Sequence, residues 1–232
     1  MNISLGILSW KAHKTLENTL SSFKPLLPFI KDTKIYFQEM NQQDMNIANQ
    51  YGINAIGSSI NTGIIGGFKS LVENASGEYF IFAENDFELV HGIEETIKIL
   101  EDSINLLVSF DVDVVKLRDR INYGEPLYTK LTEHPDMGFS YKLESLHSFE
   151  NPEEVFPGVF EIIYLSFKWY KCSNVHQKWS NNIFIARTRW LKEKLNLLED
   201  GDFMMEETLI AKLKGYNLAG GIGLFKHNRL DR

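Results

Sequence analysis

The 232-residue chain lacks several features that would narrow its function. Cys172 is its only cysteine, so an intrachain disulfide is impossible and no cysteine cluster can bind zinc. We expect Cys172 to be a small packed side chain. No apolar run approaches the ~20 residues that span a bilayer, and the apolar first ten residues lack the basic start and cleavage pattern of a signal peptide. These absences favour a soluble, cytoplasmic protein without a transmembrane segment; peripheral attachment to a membrane stays open.

Basic residues are also few. Lysine and arginine number 24 against 31 aspartates and glutamates, which gives a formal net charge of −7. A general nucleic-acid binder needs a basic face that displaces counterions from phosphates, so we expect no nucleic-acid partner. A small phosphate-bearing ligand held through a metal ion remains compatible with this charge. The apolar share of 44% is ordinary for a soluble domain with a sizeable core.

Short apolar runs alternate with segments of helical periodicity over about the first 110 residues. This alternation predicts βαβ units and a largely parallel sheet. The predicted strands are 3–8, 34–37, 53–56, 79–83 and 112–117, and the helices are 15–24, 64–75 and 93–107. Strands at 160–165 and 182–186, helices at 190–198 and 206–214, and a glycine-rich closing strand follow. Residues 118–158 lack periodicity and predict a long functional loop. We see no repeat or linker and predict one domain.

The segment from Asn61 to Asp86 is the most informative part of the chain. It predicts a glycine-punctuated loop, an amphipathic helix and a buried strand that ends in Glu84-Asn85-Asp86. Ligands of open α/β sheets bind outside the carboxyl ends of the strands. Carboxylates at that place can hold Mg²⁺ against phosphates, since this ion uses one or two protein carboxylates together with phosphate oxygens. An ordinary acidic turn on a solvated loop is the alternative.

Five segments stand in the order of a known family's motifs: Leu8–Trp10, Glu39–Asp44, Asn61–Asp86, Met205–Ile210 and Gly223–His227. The third carries Asn-x-Gly-x-x-Gly, a helix, Ala-x-Gly-Glu-Tyr-x-x-Phe and the acidic triplet without a gap. The fourth is similar to a Glu-Asp segment with a catalytic base, and the fifth to a closing strand with a metal-binding histidine. In these features the chain resembles the family-2-like glycosyltransferases of the GT-A fold.

The resemblance departs from the family pattern at three places. Glu84 stands where the family usually has aspartate, the segment Glu39–Asp44 has lost its glycine, and the region from Arg118 to Asn174 does not match. The longer Glu84 side chain leaves its role less defined.

The resemblance implies a single α/β domain of the GT-A, Rossmann-like type over residues 1–232. A central, mostly parallel sheet would be flanked by helices, with a smaller antiparallel part on the acceptor side. Residues 1–117 would bind the nucleotide sugar and 118–232 the acceptor. The implied enzyme is a metal-dependent, hexosyltransferase-type glycosyltransferase that moves a sugar from a UDP- or GDP-linked donor to a saccharide or glycan hydroxyl, with inversion. The chain could also be one domain of a longer enzyme.

By the same resemblance, Asp86 is the preferred ligand for Mn²⁺ or Mg²⁺, and His227 would complete the metal shell. The nucleotide-binding candidates lie at predicted strand ends and helix starts: Ser9, Trp10, Glu39, Asn61, Gly63, Lys69, Glu84, Asn85 and Arg118. Trp10 could stack on a base, an interaction worth ~1–3 kcal/mol, and Glu39 could accept a hydrogen bond from the base. Each role has a plain alternative. Trp10 could simply be buried in the core, and Glu39 could belong to an exposed polar turn. Lys69, Arg118 and Arg120 could be solvated side chains.

Glu207 is the preferred catalytic base, with Glu206 second and Asp200 and Asp202 as outside candidates. Acids at a helix start also stabilise the helix dipole without any catalytic role. Asn181 and Asn182 could line the acceptor pocket.

Two other functions stay open. A sugar-1-phosphate nucleotidyltransferase would carry a Gly-x-Gly-Thr-Arg-like loop after its first strand, and Ser9-Trp10-Lys11-Ala12 does not provide one. A catalytically silent nucleotide- or glycan-binding module is compatible with the glutamate at position 84.

Overall fold

The structure, a computed structural model, describes residues 1–121, 151–177, 179–199 and 205–230. The strands are β1 (Ile3–Ser9), β2 (Asp32–Phe37), β3 (Asn54–Gly57), β4 (Tyr79–Glu84), β5 (Phe87–Leu89), β6 (Val114–Arg118), β7 (Glu161–Tyr164), β8 (Lys168–Ser173), β9 (Phe184–Arg187) and β10 (Asn217–His227). The α-helices are α1 (His13–Phe23), α2 (Gln42–Gln50), α3 (Gly63–Glu73), α4 (Ile93–Ser109), α5 (Pro152–Val155), α6 (Thr188–Lys194) and α7 (Met205–Lys212). Short 3₁₀ helices cover Leu27–Phe29 and Leu195–Leu197.

The strands form one sheet in the order β3-β2-β1-β4-β9-β6-β10-β8-β7, and β5 pairs with β10. The four strands from β3 to β4 pair in parallel, as do β6 and β10. Strand β9 runs antiparallel to both of its neighbours, and β7 and β8 form an antiparallel pair. The predicted α/β class, with a parallel sheet in the first half and antiparallel strands in the second, is confirmed.

The strand order reverses between β1 and β4. The chain runs from β1 outward to β2 and β3, then returns through α3 to place β4 on the other side of β1. Crossover helices that leave in opposite directions open a crevice outside the carboxyl ends of these two strands, which is where ligands bind in such sheets. The topology therefore predicts a ligand site at the ends of β1 and β4.

Helices cover both faces of the sheet. Helices α1 and α4 pack with Ile3, Leu5 and Ile7 of β1 on one face, whereas α3, α6 and α7 pack with Phe80 and Phe82 of β4 on the other. Strands buried on both faces have nearly continuous apolar sequences, which explains why β1 and β4 were easy to predict. In the described part of the chain, no helix combines the length and apolarity needed to cross a membrane.

Helix α2 and strands β5 and β8 were not predicted. The polar run 39–44 was interpreted as a turn, but its second half starts α2. The Asn41 side chain accepts hydrogen bonds from the backbone N–H groups of Gln43 and Asp44, and the Asp44 carboxylate accepts one from the Asn41 N–H. This capping box fixes the start of a helix whose buried residues are few, so the apolar periodicity was weak.

A bulge in β10 redirects the end of the chain. Residues 218–220 pair with β6, and the register then shifts so that Phe225 pairs with Arg118. Phe225–His227 also pair with β5, with His227 opposite Phe87. Gly223 lies in the bulge with φ +75°, and a Cβ on it would stand 2.2 Å from the Arg118 carbonyl oxygen. Bulges commonly re-aim side chains next to active sites, and this one delivers His227 to the end of β4.

We expect Gly223→Ala to lower the free energy of unfolding by clearly more than Gly215→Ala. Both glycines have a left-handed backbone, at +75° and +65°, but a Cβ on Gly215 would meet nothing within 4 Å. Gly215→Ala should therefore show only the conformational penalty of about 1–2 kcal/mol, and Gly223→Ala should add a backbone clash. Urea unfolding measures both. Equal losses would show that the close approach of Gly223 to β6 is unimportant.

Cys172 is buried in β8, as expected, and its Sγ lies 3.7 Å from Gln177 Oε1. Burial raises the pKa of the thiol to about 12. We expect a disulfide exchange reagent at pH 8 to leave the native protein unmodified and to react at once in denaturant, because the thiolate is the nucleophile. Rapid reaction of the folded protein would contradict this packing.

Candidate active site at the ends of strands β1 and β4

Three buried polar atoms without hydrogen-bond partners lie where β1 and β4 end. The two strands pair up to Leu8 and Glu84, so Ser9 and the following residues Asn85 and Asp86 emerge side by side. All three residues are nearly fully buried, and Ser9 Oγ, Asn85 Nδ2 and Asp86 Oδ1 have no hydrogen-bond partner. Buried polar atoms are almost always satisfied in native proteins. Three exceptions at the switch point indicate a place built to receive the polar groups of a ligand.

Asp86 is held against His227. His227 Nε2 lies 2.9 Å from Asp86 Oδ2, and the backbone N–H of Asn228 donates to the Asp86 carbonyl over 2.7 Å. The Phe87 ring packs edge-on against the imidazole at a centroid distance of 5.4 Å. One carboxylate oxygen of Asp86 is thus engaged and the other is buried and unpartnered, so the pair is rigid but incomplete.

The Asp86–His227 pair suits a hard divalent cation. The 2.9 Å between His227 Nε2 and Asp86 Oδ2 is the distance of a direct polar contact; the same two atoms could instead serve as neighbouring ligands of one octahedral ion. Carboxylate oxygens suit Mg²⁺ and Mn²⁺, and Mn²⁺ also accepts imidazole. Among the residues described, no group of three or more His, Cys, Asp or Glu side chains could hold a metal. An Mg²⁺ ion typically uses one or two protein carboxylates and fills its other positions with water or substrate oxygens.

Asp86 and Glu206 both disfavour ionisation of Glu84 at this edge. Burial, followed by the charges of Asp86 and Glu206, raises the pKa of Glu84 to about 8, and Arg229 opposes the shift. Carboxylates that share a low-dielectric site destabilise each other's ionised form, and a bound cation reverses that effect. The interaction also shows that Glu206, from the second half of the chain, lies near the end of β4.

Helix α7 presents its two acidic residues differently. Glu206 is half-buried, and its Oε1 accepts a hydrogen bond of 2.9 Å from the backbone N–H of Asn181. Glu207 is exposed. Asn182 Oδ1 accepts a hydrogen bond of 3.0 Å from the nearly buried Arg118, so both asparagines and Arg118 lie close to the start of α7. Asp200 and Asp202 fall outside the described residues.

At the ends of β1 and β2, Trp10 and Lys11 surround Glu39. Trp10 Nε1 donates to Glu39 Oε2 over 3.0 Å, and Lys11 Nζ lies 2.6 Å from the same oxygen. The hydrogen bonds from Lys11 and Trp10 lower the pKa of Glu39. Lys11 and Glu39 have φ values of +56° and +53°, a conformation that is rare outside glycine and that concentrates at ligand sites. The sequence analysis did not identify Lys11 as part of this group.

The loop before α3 is tied to the end of β2 by Gln38, which the sequence analysis also missed. The buried Gln38 side chain accepts from the Thr62 N–H over 2.7 Å and donates to the Gly63 carbonyl over 2.6 Å. Asn61 Oδ1 accepts from the Gly63 N–H, and Gly63 has φ +69°. Gln38 could have been recognised as a candidate because it is a polar residue directly after a buried strand. Lys69 lies further along α3, half-buried.

Solved structures with the same architecture are known, although no protein-family model and no curated protein sequence matches the chain. TarS residues 1–349 from S. aureus is 14% identical, with a TM-score of 0.62, over 98% of this chain and 60% of that one. A longer TarS chain is 13% identical, with a TM-score of 0.58, over 98% and 37%. This chain thus spans 60% or less of these TarS chains.

A third structure adds ligands. Glucosyl-3-phosphoglycerate synthase from Mycobacterium tuberculosis, in complex with Mn²⁺, UDP-glucose and phosphoglyceric acid, is 14% identical with a TM-score of 0.52, over 99% of this chain and 72% of that one. The neighbours are GT-A-type glycosyltransferases. At such low identity the likeness concerns the architecture, and it shows that the chain has the GT-A fold that its sequence motifs predicted.

Proposed function

We propose that the chain is a metal-dependent glycosyltransferase that moves a sugar from a UDP- or GDP-linked donor to a saccharide hydroxyl, with inversion. The observation that carries this proposal is the group of buried, unpartnered atoms of Ser9, Asn85 and Asp86 at the switch point of the sheet, with Asp86 held against His227. The Mn²⁺, UDP and UDP-glucose in complexes of the M. tuberculosis synthase, which shares this fold, support it.

The donor would lie across the ends of β1, β2 and β4. Asp86 and His227 would hold Mn²⁺ or Mg²⁺, which when bound offsets the negative charge on a departing diphosphate. Ser9 and Asn85 offer a hydroxyl and an amide N–H to the nucleotide. Glu84 would stand close to the ribose.

The base of the donor would contact the exposed group at the strand tips. Trp10 is 48% exposed and offers a flat face for stacking. Glu39 is ionised and can accept an N–H of the base. Asn61 and Gly63 bring backbone close to the nucleotide, and Lys69 is the candidate for a phosphate contact from α3.

Transfer would be a single displacement. The Glu207 carboxylate accepts the proton of the acceptor hydroxyl as its oxygen bonds to the anomeric carbon of the sugar. The bond from that carbon to the diphosphate oxygen breaks, and the nucleoside diphosphate leaves with the electron pair. Attack opposite the leaving group inverts the anomeric configuration. The exposed Glu207 is accessible to an acceptor from solvent, whereas Glu206 is fixed by Asn181 and would steady the start of α7.

The test is a thermal-shift screen of UDP, GDP, UDP-glucose, UDP-N-acetylglucosamine and GDP-mannose with and without Mn²⁺, followed by assays of nucleotide release. The acceptor panel holds mono- and disaccharides and, because the M. tuberculosis synthase was crystallised with phosphoglyceric acid, that hydroxy acid. We expect Mn²⁺-dependent stabilisation and acceptor-dependent nucleotide release. A silent module would bind without turnover, and a nucleotidyltransferase would release pyrophosphate from a nucleoside triphosphate and a sugar-1-phosphate. Absence of any metal-dependent nucleotide binding would contradict the proposal.

Asp86→Ala should weaken Mn²⁺-dependent UDP binding by about 100-fold or more, since the metal contributes several kcal/mol, and should abolish transfer. The fold should persist, because removing a buried unpartnered oxygen offsets the loss of the contact with His227. Titration calorimetry and thermal melting measure the two effects. Glu78→Ala is the matched control, because Glu78 precedes the same strand at its opposite end. This variant should bind Mn²⁺–UDP as the parent does. Unchanged nucleotide affinity in Asp86→Ala would place the metal elsewhere.

Glu207→Gln should keep the dissociation constant for Mn²⁺–UDP and reduce transfer by about 10²–10⁴-fold, the usual contribution of a general base. Glu206→Gln keeps a hydrogen-bond acceptor for the Asn181 N–H, so we expect a loss below about tenfold. Single-turnover kinetics with saturating donor compares the two variants. If Glu206→Gln shows the larger loss, the base is Glu206.

A further inference from the structure

Strand β6 carries two cationic residues, Lys116 and Arg118, among three apolar ones. Lys116 is 2% exposed between Val115 and Leu117. Its Nζ donates to the Ser180 carbonyl over 2.7 Å and lies 3.2 Å from Ser180 Oγ. The same ammonium stands 5.1 Å from the centroid of the Trp179 ring. Burying an ammonium group is unfavourable unless it is well bonded, and departures from apolar core patterning concentrate at functional sites.

The bonds of Lys116 end in a short turn, Trp179–Asn182. Arg118, two residues along β6 and therefore on the same face, donates to Asn182 Oδ1 over 3.0 Å. Inside the turn, Asn182 Nδ2 donates to Ser180 Oγ and Trp179 Nε1 donates to Asn181 Oδ1. Lys116 and Arg118 of β6 thus both donate hydrogen bonds to the turn Trp179–Asn182, which also has hydrogen bonds within itself.

That turn touches the acceptor-side acids. The Asn181 N–H donates to Glu206 Oε1 over 2.9 Å, and Glu206 precedes Glu207 at the start of α7. A continuous series of bonds therefore runs from the sheet, through Lys116, Ser180 and Asn181, to the Glu206 carboxylate next to Glu207. Catalytic groups need support of this kind, since a misplacement of about 1 Å costs roughly 100-fold in rate.

We propose that Lys116 is a positioning residue for the acceptor-side carboxylates, which acts by fixing the turn Trp179–Asn182. The inference deepens the proposed function and rests on it. It does not place Lys116 in contact with substrate. A purely structural role is the competing explanation: Lys116 would then support the core, and its loss would affect binding, turnover and folding together.

The test compares Lys116→Met with Lys168→Met. Methionine keeps the length and the apolar contact with Trp179 but removes the ammonium. Lys168 in β8 also stacks on an aromatic ring, Tyr170 at 5.2 Å, and pairs with Glu153, but no described bond joins it to the turn. Four quantities are measured: the dissociation constant of Mn²⁺–UDP, the KM for the donor that the parent turns over, kcat, and amide hydrogen exchange at Asn181.

For Lys116→Met we expect UDP affinity and donor KM within about twofold of the parent, kcat at least tenfold lower, and exchange at Asn181 at least tenfold faster. Lys168→Met should match the parent in all four. Unchanged kcat or unchanged exchange at Asn181 overturns the inference, as does a parallel loss of UDP affinity. If the parent binds nucleotide but releases none from any donor, the proposed function fails; exchange at Asn181 still tests the bond series by itself.

Ser180→Ala covers the case in which Lys116→Met does not fold. It removes only the hydroxyl that Lys116 and Asn182 share, so a smaller loss of kcat, about threefold, with faster exchange at Asn181 is expected. In a Glu206→Ala background, the Ser180→Ala effect on kcat should vanish, because the link to the carboxylate is already broken. Losses that simply multiply would show that the turn does not act through Glu206.

Discussion

The contact between Asp86 and His227 is the constraint on which the site depends. It joins the end of β4 to the end of β10, strands separated by more than a hundred residues of chain, and it exists because the last residues of β10, beyond the register shift around Gly223, also pair with β5. The contact leaves Asp86 Oδ1 buried without a partner. Such an atom destabilises the fold by about 1–3 kcal/mol. The protein tolerates this loss of stability at the switch point of the sheet, which is where ligands bind in such folds.

The first half of the fold could be predicted from sequence because local sequence patterns indicate its strands and helices. Strands β1 and β4 are continuous apolar runs, α3 has clear helical periodicity, and the acidic triplet follows β4 directly. Periodicity assigns the type of an element, however, and not its partners. The insertion of antiparallel β9 between β4 and β6, and the bulge in β10, follow from long-range packing. Helix α2 depended on its capping box more than on apolar spacing.

The same limit applies to the site. Residues at strand ends could be proposed singly, and the structure brings Ser9, Asn85, Asp86 and His227 to one edge. The supporting side chains are harder to recognise from the sequence, since each acts through a contact distant in sequence. Gln38 ties the loop before α3 to β2, and Lys116 holds a turn 64 residues away. Likewise, buried Asp102 on α4 accepts hydrogen bonds from Phe167 and Trp169 that fasten the β7–β8 hairpin.

The end of β4 and the group around Lys116 and Arg118 have opposite electrostatic character, and each suits a different task. At the end of β4, burial and the charges of Asp86 and Glu206 raise the pKa of Glu84 and outweigh the opposing charge of Arg229, so a bound cation would stabilise the ionised carboxylates there. On the acceptor side, Lys116 and Arg118 already supply positive charge, but to a carbonyl, a hydroxyl and an amide that hold a turn. Under the proposed function, the protein's own cations would therefore fix geometry, and an ion that enters with the substrate would neutralise the diphosphate. Electrostatic groups fixed before substrate arrives need no reorganisation when charge develops. A site of this construction would accelerate transfer only with both donor and metal present, which couples catalysis to donor binding.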